Sequence, residues 1–191
     1  MHYPQLEIVH RDILKLTSEE IAQEKCKVVA NLPYHITTPI LTKLLPFYAH
    51  ISTMTMMIQK EYADRLCASP NEPNYGSITL FCQCYGKVSP CFSVSRHCFS
   101  PKPLVTSSVI HIQLHKPPLP DAEMPLFHNF VRGGFGKRRK MLCNALSHLY
   151  SSAVVQQALK DLNIDPKARA ETLSLQQFLA LFSLLRNPPG P

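Results

Sequence analysis

The spacing of apolar residues predicts strands in the first two thirds of the chain and helices in the last third. Short apolar or alternating segments predict five strands, at residues 6–10, 27–30, 53–58, 87–94 and 107–115. Apolar residues at helical spacing predict helices at residues 39–45, 59–68, 125–150, 151–163 and 174–187, and a short helix that begins at Thr17 or Ser18. Residues 77–85 fit both periods, so spacing alone does not assign them.

Capping residues and prolines sharpen these boundaries. Thr38 as N-cap and Pro39 at the first helical position favour a helix start there. Ser174 and Gln177 form a predicted capping box before the last helix. The stiff segment Pro-Pro-Leu-Pro at residues 117–120 is the best domain boundary. We therefore expect an α/β domain at residues 1–117, a small all-α domain at residues 118–191, and loosely held final residues 187–191.

Composition indicates a folded basic protein. The hydrophobic content is 45%, and 20 Lys and Arg against 13 Asp and Glu give a net charge of +7. A basic balance favours a nucleic-acid partner, although charge alone is weak evidence. No run of about 18 apolar residues is present, and Met1-His2-Tyr3-Pro4 does not open a signal peptide, so we expect a soluble cytoplasmic protein with no membrane contact.

The seven cysteines are expected to be reduced packing residues rather than metal ligands. Five Cys and His residues come close together in the sequence and could suggest zinc: Cys82, Cys84, Cys91, His97 and Cys98. They lack the paired C-x2-C spacing of zinc sites. The sequence therefore predicts no metal site.

The candidate chemistry lies in Asn31-Leu32-Pro33-Tyr34, which follows a predicted strand. Ligands bind outside the carboxyl ends of strands in open α/β sheets. The Asn31 side-chain oxygen and the carbonyl of Leu32 or Pro33 could accept two hydrogen bonds from an exocyclic amine while Tyr34 stacks on the base, which suits methylation of adenine. The alternative is an ordinary Asn-Pro turn whose tyrosine packs inward.

Several segments resemble the ribosomal RNA adenine N6,N6-dimethyltransferase family of the KsgA type. Besides the segment at Asn31, they are His10-Arg11-Asp12-Ile13-Leu14, Gln59-Lys60-Glu61-Tyr62-Ala63-Asp64-Arg65-Leu66, Phe99-Ser100-Pro101-Lys102-Pro103 with Val105 and Ser107-Ser108-Val109, Phe135-Gly136-Lys137-Arg138-Arg139-Lys140 and Arg169-Ala170-Glu171-Thr172-Leu173-Ser174. The resemblance implies a Rossmann-like class I methyltransferase domain with sheet order 3-2-1-4-5-7-6. It also favours a helix at residues 77–85.

The resemblance implies roles for individual residues. Asn31, Pro33, Tyr34 and Phe99 would be catalytic, with Phe99 opposite Tyr34 on the flipped base. Asp12 and Asn31 would contact the methyl donor, S-adenosyl-L-methionine. The alternatives are a turn or helix-capping aspartate at position 12 and a loop phenylalanine that fills the core at position 99.

The same resemblance implies a ribosomal substrate and partner. The substrate would be two adjacent adenosines in a hairpin near the 3′ end of small-subunit (16S) RNA, methylated by a monomer on a pre-30S particle during ribosome biogenesis. Five cations on the helix predicted at residues 125–150 would contact RNA phosphates: Arg132, Lys137, Arg138, Arg139 and Lys140. The alternative is a solvated helix face. The sequence departs from the family at Gly133, Gly134 and Gly136, where the family has alanine-like residues, and we expect the helix to bend there.

The methyl-donor half of the family pattern is missing from this sequence. Of the six glycines, none forms a G-x-G pattern between a strand and a helix, so we expect an N-terminal truncation of the catalytic domain. Activity of this chain alone is therefore uncertain. Two alternatives stay open: a non-catalytic factor that binds ribosomal RNA, and a large-subunit adenine methyltransferase of the antibiotic-resistance type.

Overall fold

A mixed sheet of four strands organises the part of the chain that the structure describes. Its strands are β1 (Cys26–Asn31), β2 (Ile51–Gln59), β3 (Gly86–Val94) and β4 (Ser107–Leu114), in the spatial order β1-β2-β4-β3. β1 and β2 are parallel, whereas β4 runs antiparallel to both β2 and β3. This computed structural model describes residues 7–21, 25–137 and 139–186.

Helices connect the strands and share one apolar core with them. They are α1 (Ser18–Ile21), α2 (Thr37–Leu44), α3 (Lys60–Leu66) and α4 (Ser77–Tyr85). Alternate side chains of the two central strands are fully buried in this core, among them Met54, Ile58 and Ile110. Burial of each such side chain is worth about 1.5–3 kcal/mol. The opposite sheet face is half-exposed and carries the pair Thr55 and His111, whose Oγ1 and Nδ1 atoms are 2.9 Å apart.

The last third of the described chain is helical and packs onto the same core. Its helices are α5 (Met124–Phe135), α6 (Leu142–Ala145), α7 (Ser152–Asp161) and α8 (Leu175–Arg186). Buried residues from both sides of the 117–120 segment form one apolar cluster. The Tyr75 hydroxyl donates a hydrogen bond to the Leu173 carbonyl at 2.9 Å, which ties the helical part to the sheet part. No helix in the described ranges is long and apolar enough to cross a membrane.

Most predicted elements are present with small shifts at their ends. Residues 77–85 form a helix, as the family resemblance predicted. The predicted capping box at Ser174 is confirmed: its backbone N–H donates to Gln177 Oε1 at 2.9 Å, and the Gln177 N–H donates to Ser174 Oγ at 3.3 Å. Helix α2 begins at Thr37, one residue before the predicted cap. The described sheet order equals the 4-5-7-6 end of the predicted order.

The strand predicted at residues 6–10 is wrong for its described part. Residues 7–10 have no regular structure, and Ile8 is 83% exposed. A strand is stable only when a neighbouring strand takes up its backbone hydrogen bonds. None of the four described strands pairs with this segment, so its apolar side chains alone do not make it a strand.

The single helix predicted at residues 125–150 is also wrong. Helix α5 ends at Phe135 with Gly136 as its C-cap, and α6 begins only at Leu142. The helix continues through Gly133 and Gly134 instead of bending there, because these glycines permit close packing. A Cβ atom at Gly134 would lie 2.9 Å from Cδ1 of the fully buried Leu142. The final residues, 187–191, lie outside the described ranges.

Candidate active site

The ends of three strands meet at one edge of the sheet. Asn31 ends β1 and pairs with Met57 of β2. Ser107 begins β4 and pairs with Gln59, the last residue of β2. The loop at residues 95–106, which joins β3 to β4, therefore reaches the same edge as the segment that follows Asn31. This is the carboxyl edge of the parallel strands, where open α/β sheets bind their ligands.

The Asn31 side chain is available to a ligand at this edge. Asn31 is exposed, and its side-chain amide forms no hydrogen bond with another residue of the described ranges. The next residue fixes the backbone, because Leu32 is 7% exposed and its N–H donates to the Met57 carbonyl at 3.1 Å. A free amide on a rigid strand end is a preorganised hydrogen-bonding group.

The two candidate backbone acceptors differ in their existing partners. The Pro33 carbonyl already accepts hydrogen bonds from the Ile36 N–H at 3.1 Å and from Thr37 Oγ1 at 3.4 Å. The Leu32 carbonyl accepts none from the described residues. Since a carbonyl has two lone pairs, Pro33 has little remaining capacity, whereas Leu32 retains its full capacity.

Tyr34 is held by a residue for which no role was predicted. Its hydroxyl lies 2.6 Å from Oγ of Ser107, which is fully buried. The tyrosine ring is half-exposed, so its edge is anchored while a face remains accessible. The Ser107-Ser108 pair appeared in the sequence only as part of a matching segment. The strand register that brings Ser107 to Tyr34 is set by the pairing of β2 with β4, which are far apart in the sequence.

Phe99 lies with this segment around one cavity. The cavity has a volume of about 280 Å³ and is lined by Asn31, Leu32, Pro33, Tyr34, Phe99, Pro101 and Pro103. Phe99 is half-buried, so it does not fill the core as the alternative interpretation required. The structure therefore brings together all four residues expected to be catalytic. Prolines on the Phe99 loop limit its backbone freedom.

Removal of the Tyr34 hydroxyl is expected to destabilise the fold. Tyr34→Phe leaves the buried Ser107 hydroxyl without its partner, which costs about 1–3 kcal/mol. The double variant Tyr34→Phe/Ser107→Ala removes both groups, so its loss should be less than the sum of the single losses by about 1 kcal/mol. Urea denaturation of the unchanged chain, the two single variants and the double variant measures this coupling.

Tyr48, a second hydrogen-bonded tyrosine, provides the matched control for the Tyr34 and Ser107 variants. The Tyr48 hydroxyl donates to the Asp121 carboxylate at 3.2 Å at an exposed site. Tyr48→Phe is therefore expected to change the free energy of unfolding by less than about 0.5 kcal/mol. Strict additivity of the Tyr34 and Ser107 losses would show that the hydrogen bond does not stabilise the site.

Asp12 lies outside this cavity and caps a turn. Its Oδ1 accepts a hydrogen bond from the Leu14 N–H at 2.9 Å and begins a short 3₁₀ turn, Ile13–Lys15. Lys43 on α2 holds that turn by donating to the carbonyls of Leu14 at 2.8 Å and Leu16 at 2.6 Å. Sequence reasoning missed Lys43. Asp12 is exposed, and its second carboxylate oxygen has no partner in the described chain, so capping leaves it able to accept a further hydrogen bond.

The predicted basic run does not lie on one helix. Arg132 is exposed on α5, whereas Lys137, Arg139 and Lys140 are exposed in the turn that follows it. Arg138 lies outside the described residues. The Lys140 N–H donates to the Lys137 carbonyl at 2.8 Å, which closes a turn whose described cations, Lys137, Arg139 and Lys140, are exposed.

The cysteines are free thiols in three kinds of environment, of which Cys26 and Cys67 occupy the half-buried one. Cys82, Cys84 and Cys143 are buried, and burial raises the pKa of Cys84 to about 12. Cys91 and Cys98 are exposed, so the prediction that every cysteine packs in the core is wrong for these two. The described part of the chain contains no group of three or more Cys, His, Asp or Glu residues arranged to hold a metal ion.

The family profile and the relatives found by sequence comparison agree with one another. The sequence profile of the family described as "Ribosomal RNA adenine dimethylase" matches residues 1–187. The chain is 48% identical over 165 residues to the "Ribosomal RNA small subunit methyltransferase A" of Chlamydia felis, covering 85% of this chain and 58% of that protein. It is 40% identical over 184 residues to the Protochlamydia amoebophila protein of the same name, covering 93% and 64%. The chain thus spans about three fifths of the length of these relatives.

Solved structures share the fold. A dimethyladenosine transferase from Plasmodium falciparum superimposes with a TM-score of 0.78 at 22% identity, covering 96% of this chain and 74% of that one. The 23S rRNA methyltransferase ErmE gives a TM-score of 0.70 at 24% identity, covering 96% and 73%. The predicted Rossmann-like methyltransferase fold with a helical C-terminal part is confirmed. With a family profile that matches nearly its whole length, this chain belongs to the ribosomal RNA adenine dimethylase family.

Proposed function

We propose that this protein dimethylates the N6 amines of two adjacent adenosines in a hairpin near the 3′ end of small-subunit ribosomal RNA. One observation carries the proposal: the unpaired Asn31 amide lies at a cavity that also contains Tyr34 and Phe99. The curated relatives named as small-subunit methyltransferases support this substrate over a large-subunit one. Contact of an adenine amine with Asn31 in this cavity requires that each base be flipped out of its stack.

The site residues localise the lone pair of the reacting amine. That lone pair is delocalised into the adenine ring, so the amine is a weak nucleophile until its two N–H groups are held out of conjugation. We assign one acceptor to Asn31 Oδ1 and the second to the Leu32 carbonyl, because the Pro33 carbonyl already accepts two hydrogen bonds. Pro33 then acts by fixing the backbone directly after the Leu32 carbonyl. This is positioning and electrostatic preorganisation.

The two aromatic residues hold the ring of the base. The hydrogen bond to Ser107 fixes Tyr34, and Phe99 approaches from the loop between β3 and β4. Stacking on an aromatic side chain is worth about 1–3 kcal/mol per base. Two stacking partners would therefore offset much of the cost of flipping the base, which is a few kcal/mol.

The methyl donor is assigned as S-adenosyl-L-methionine, which supplies an electrophilic methyl group when bound. Asp12 and Asn31 can offer hydrogen-bond acceptors to it, because one Asp12 oxygen and the Asn31 amide are unpaired in the described chain. The described residues fit this cofactor only in part. No described glycine has a positive φ, and none of the six glycines lies in a G-x-G loop after a strand.

The RNA partner is assigned from the exposed cations after α5. Lys137, Arg139 and Lys140 lie together in one turn, and the chain carries a net charge of +7. Such clusters bind phosphates without reading sequence. We assign residues 118–191 as the RNA-binding domain, residues 1–117 as part of the methyltransferase domain, and the cytoplasmic pre-30S particle as the partner.

A complementation experiment tests the proposed function. The full gene product is supplied to bacteria whose small-subunit RNA lacks N6,N6-dimethyladenosine, and mass spectrometry of the digested RNA is expected to show that this nucleoside returns. Immunoblotting confirms that the protein accumulates. An accumulated protein that adds no methyl group to RNA would overturn the activity. Methylation confined to large-subunit RNA would overturn the substrate.

A further inference from the structure

A second and larger cavity lies between three helices and has no role in the proposed methyl transfer. Its volume is about 750 Å³. Its walls are Thr38 and Thr42 of α2, Ser77, Ile78, Leu80 and Phe81 of α4, and Pro125, Leu126, Phe127, His128, Asn129, Val131 and Arg132 of α5. The lining is mainly apolar, with hydroxyl groups on two sides, which is typical of pockets that bind small planar ligands.

Two rings provide a stacking surface in this cavity. The centroids of Phe81 and His128 are 4.5 Å apart with an interplanar angle of 51°. The His128 Nε2 atom is buried and has no hydrogen-bond partner among the described residues. Burial lowers the pKa of His128 to about 4, so the imidazole is neutral near pH 7. The cavity therefore offers a ligand the ring surfaces of Phe81 and His128 rather than this nitrogen, which is buried away from solvent.

Two walls of the cavity come from helices that adjoin, along the chain, the acceptor site and the basic turn. Thr38, on its α2 wall, follows Tyr34 by four residues. Arg132, on its α5 wall, is exposed and precedes the basic turn that begins near Lys137. A strand of RNA that contacts the basic turn and places a base beside Tyr34 would therefore have wall residues of this cavity close to both contacts.

We propose that this cavity binds one unpaired base of the RNA, a neighbour of the base that is methylated. The base would stack against the rings of Phe81 and His128, and its phosphate would contact Arg132. This inference rests on the proposed RNA substrate. Heterocyclic bases match the cavity because they have an apolar face and polar edges, and the adjacent cations match their phosphates.

Filling the cavity tests the inference with little risk to the fold. Thr42 is exposed at its rim, so Thr42→Trp can place a ring inside without removing a core residue. Ser183→Trp on the exposed surface of α8 is the matched control. Fluorescence anisotropy with a labelled hairpin from the small-subunit RNA is expected to show about tenfold weaker binding for Thr42→Trp, as for the loss of one stacked base. Ser183→Trp should bind as the unchanged chain does.

A fluorescent base reports the contact directly. Hairpins with 2-aminopurine at single positions beside the target base are titrated with the chain, and one position is expected to lose fluorescence as it stacks. Phe81→Leu, which keeps an apolar side chain, should restore that fluorescence. Unchanged affinity in Thr42→Trp, or no quenching at any position, would overturn the cavity assignment and leave the proposed function standing. A chain that binds no RNA would overturn the RNA partner itself.

Discussion

Replacing Asn31 with alanine is expected to lower methylation by about 100- to 1,000-fold, as for the loss of one preorganised polar group at a reacting atom. The affinity for RNA should stay within about twofold, because phosphate contacts supply most of it. Initial rates are measured in the full gene product with small-subunit particles that lack dimethyladenosine. Anisotropy gives the affinity, and circular dichroism confirms that the variant is folded.

The structure explains why one side chain should have this effect. Asn31 is exposed and forms no hydrogen bond within the described chain, so its removal breaks no native contact. The loss should therefore appear in the rate and not in stability, where we expect a change below about 0.5 kcal/mol. Without this acceptor, only the Leu32 carbonyl would hold the amine, and the lone pair of the amine would stay delocalised in the adenine ring.

A second exposed amide tests whether the loss of any such side chain on the sheet lowers the methylation rate. Gln113 is another exposed amide on the same sheet, paired with Thr53 on β2 far from the Asn31 end. Gln113→Ala is expected to leave the rate unchanged. If Asn31→Ala methylated RNA at the unaltered rate, the acceptor assignment would be wrong even though the fold and family membership would stand.

Local sequence signals predicted most of the elements and residues 31–34 of the acceptor cavity, whereas Phe99 was assigned from the family resemblance. Asn31 and Phe99 are 68 positions apart, so only the family resemblance predicts that they share a site. Ser107 and the occupied Pro33 carbonyl could not be predicted in the same way. Both depend on strand register and on the turn at Tyr34–Ile36, in which the Ile36 N–H reaches back to Pro33.

The two wrong elements share a physical cause. Residues 7–10 carry strand-like side chains, but a strand needs a neighbour that local sequence does not show. Residues 136–141 interrupt a helical pattern because Gly136 ends α5 and Leu142 instead packs against Gly134 across the turn. In both places tertiary pairing, rather than local preference, decided the structure.

Neutralising the basic turn is expected to weaken RNA binding by about 100-fold at low salt. The variant is Lys137→Gln/Arg139→Gln/Lys140→Gln, and three exposed ion pairs of about 1 kcal/mol each account for that factor. The slope of log affinity against log salt concentration should decrease in magnitude by about 2 to 3, because each phosphate contact contributes about 0.7 to 0.9. Anisotropy titrations between about 50 and 300 mM salt measure both effects, because the Debye length falls more than roughly twofold over this range.

A variant with the same loss of charge shows whether position matters. Lys116, Lys160 and Lys167 are exposed elsewhere on the chain, and their replacement by glutamine removes the same three charges. If RNA contacts the turn after α5, this control should change the slope by less than about 0.5, since distant charges are screened. Equal slopes for the two triple variants would show that the turn is a solvated surface and that net charge alone attracts the RNA.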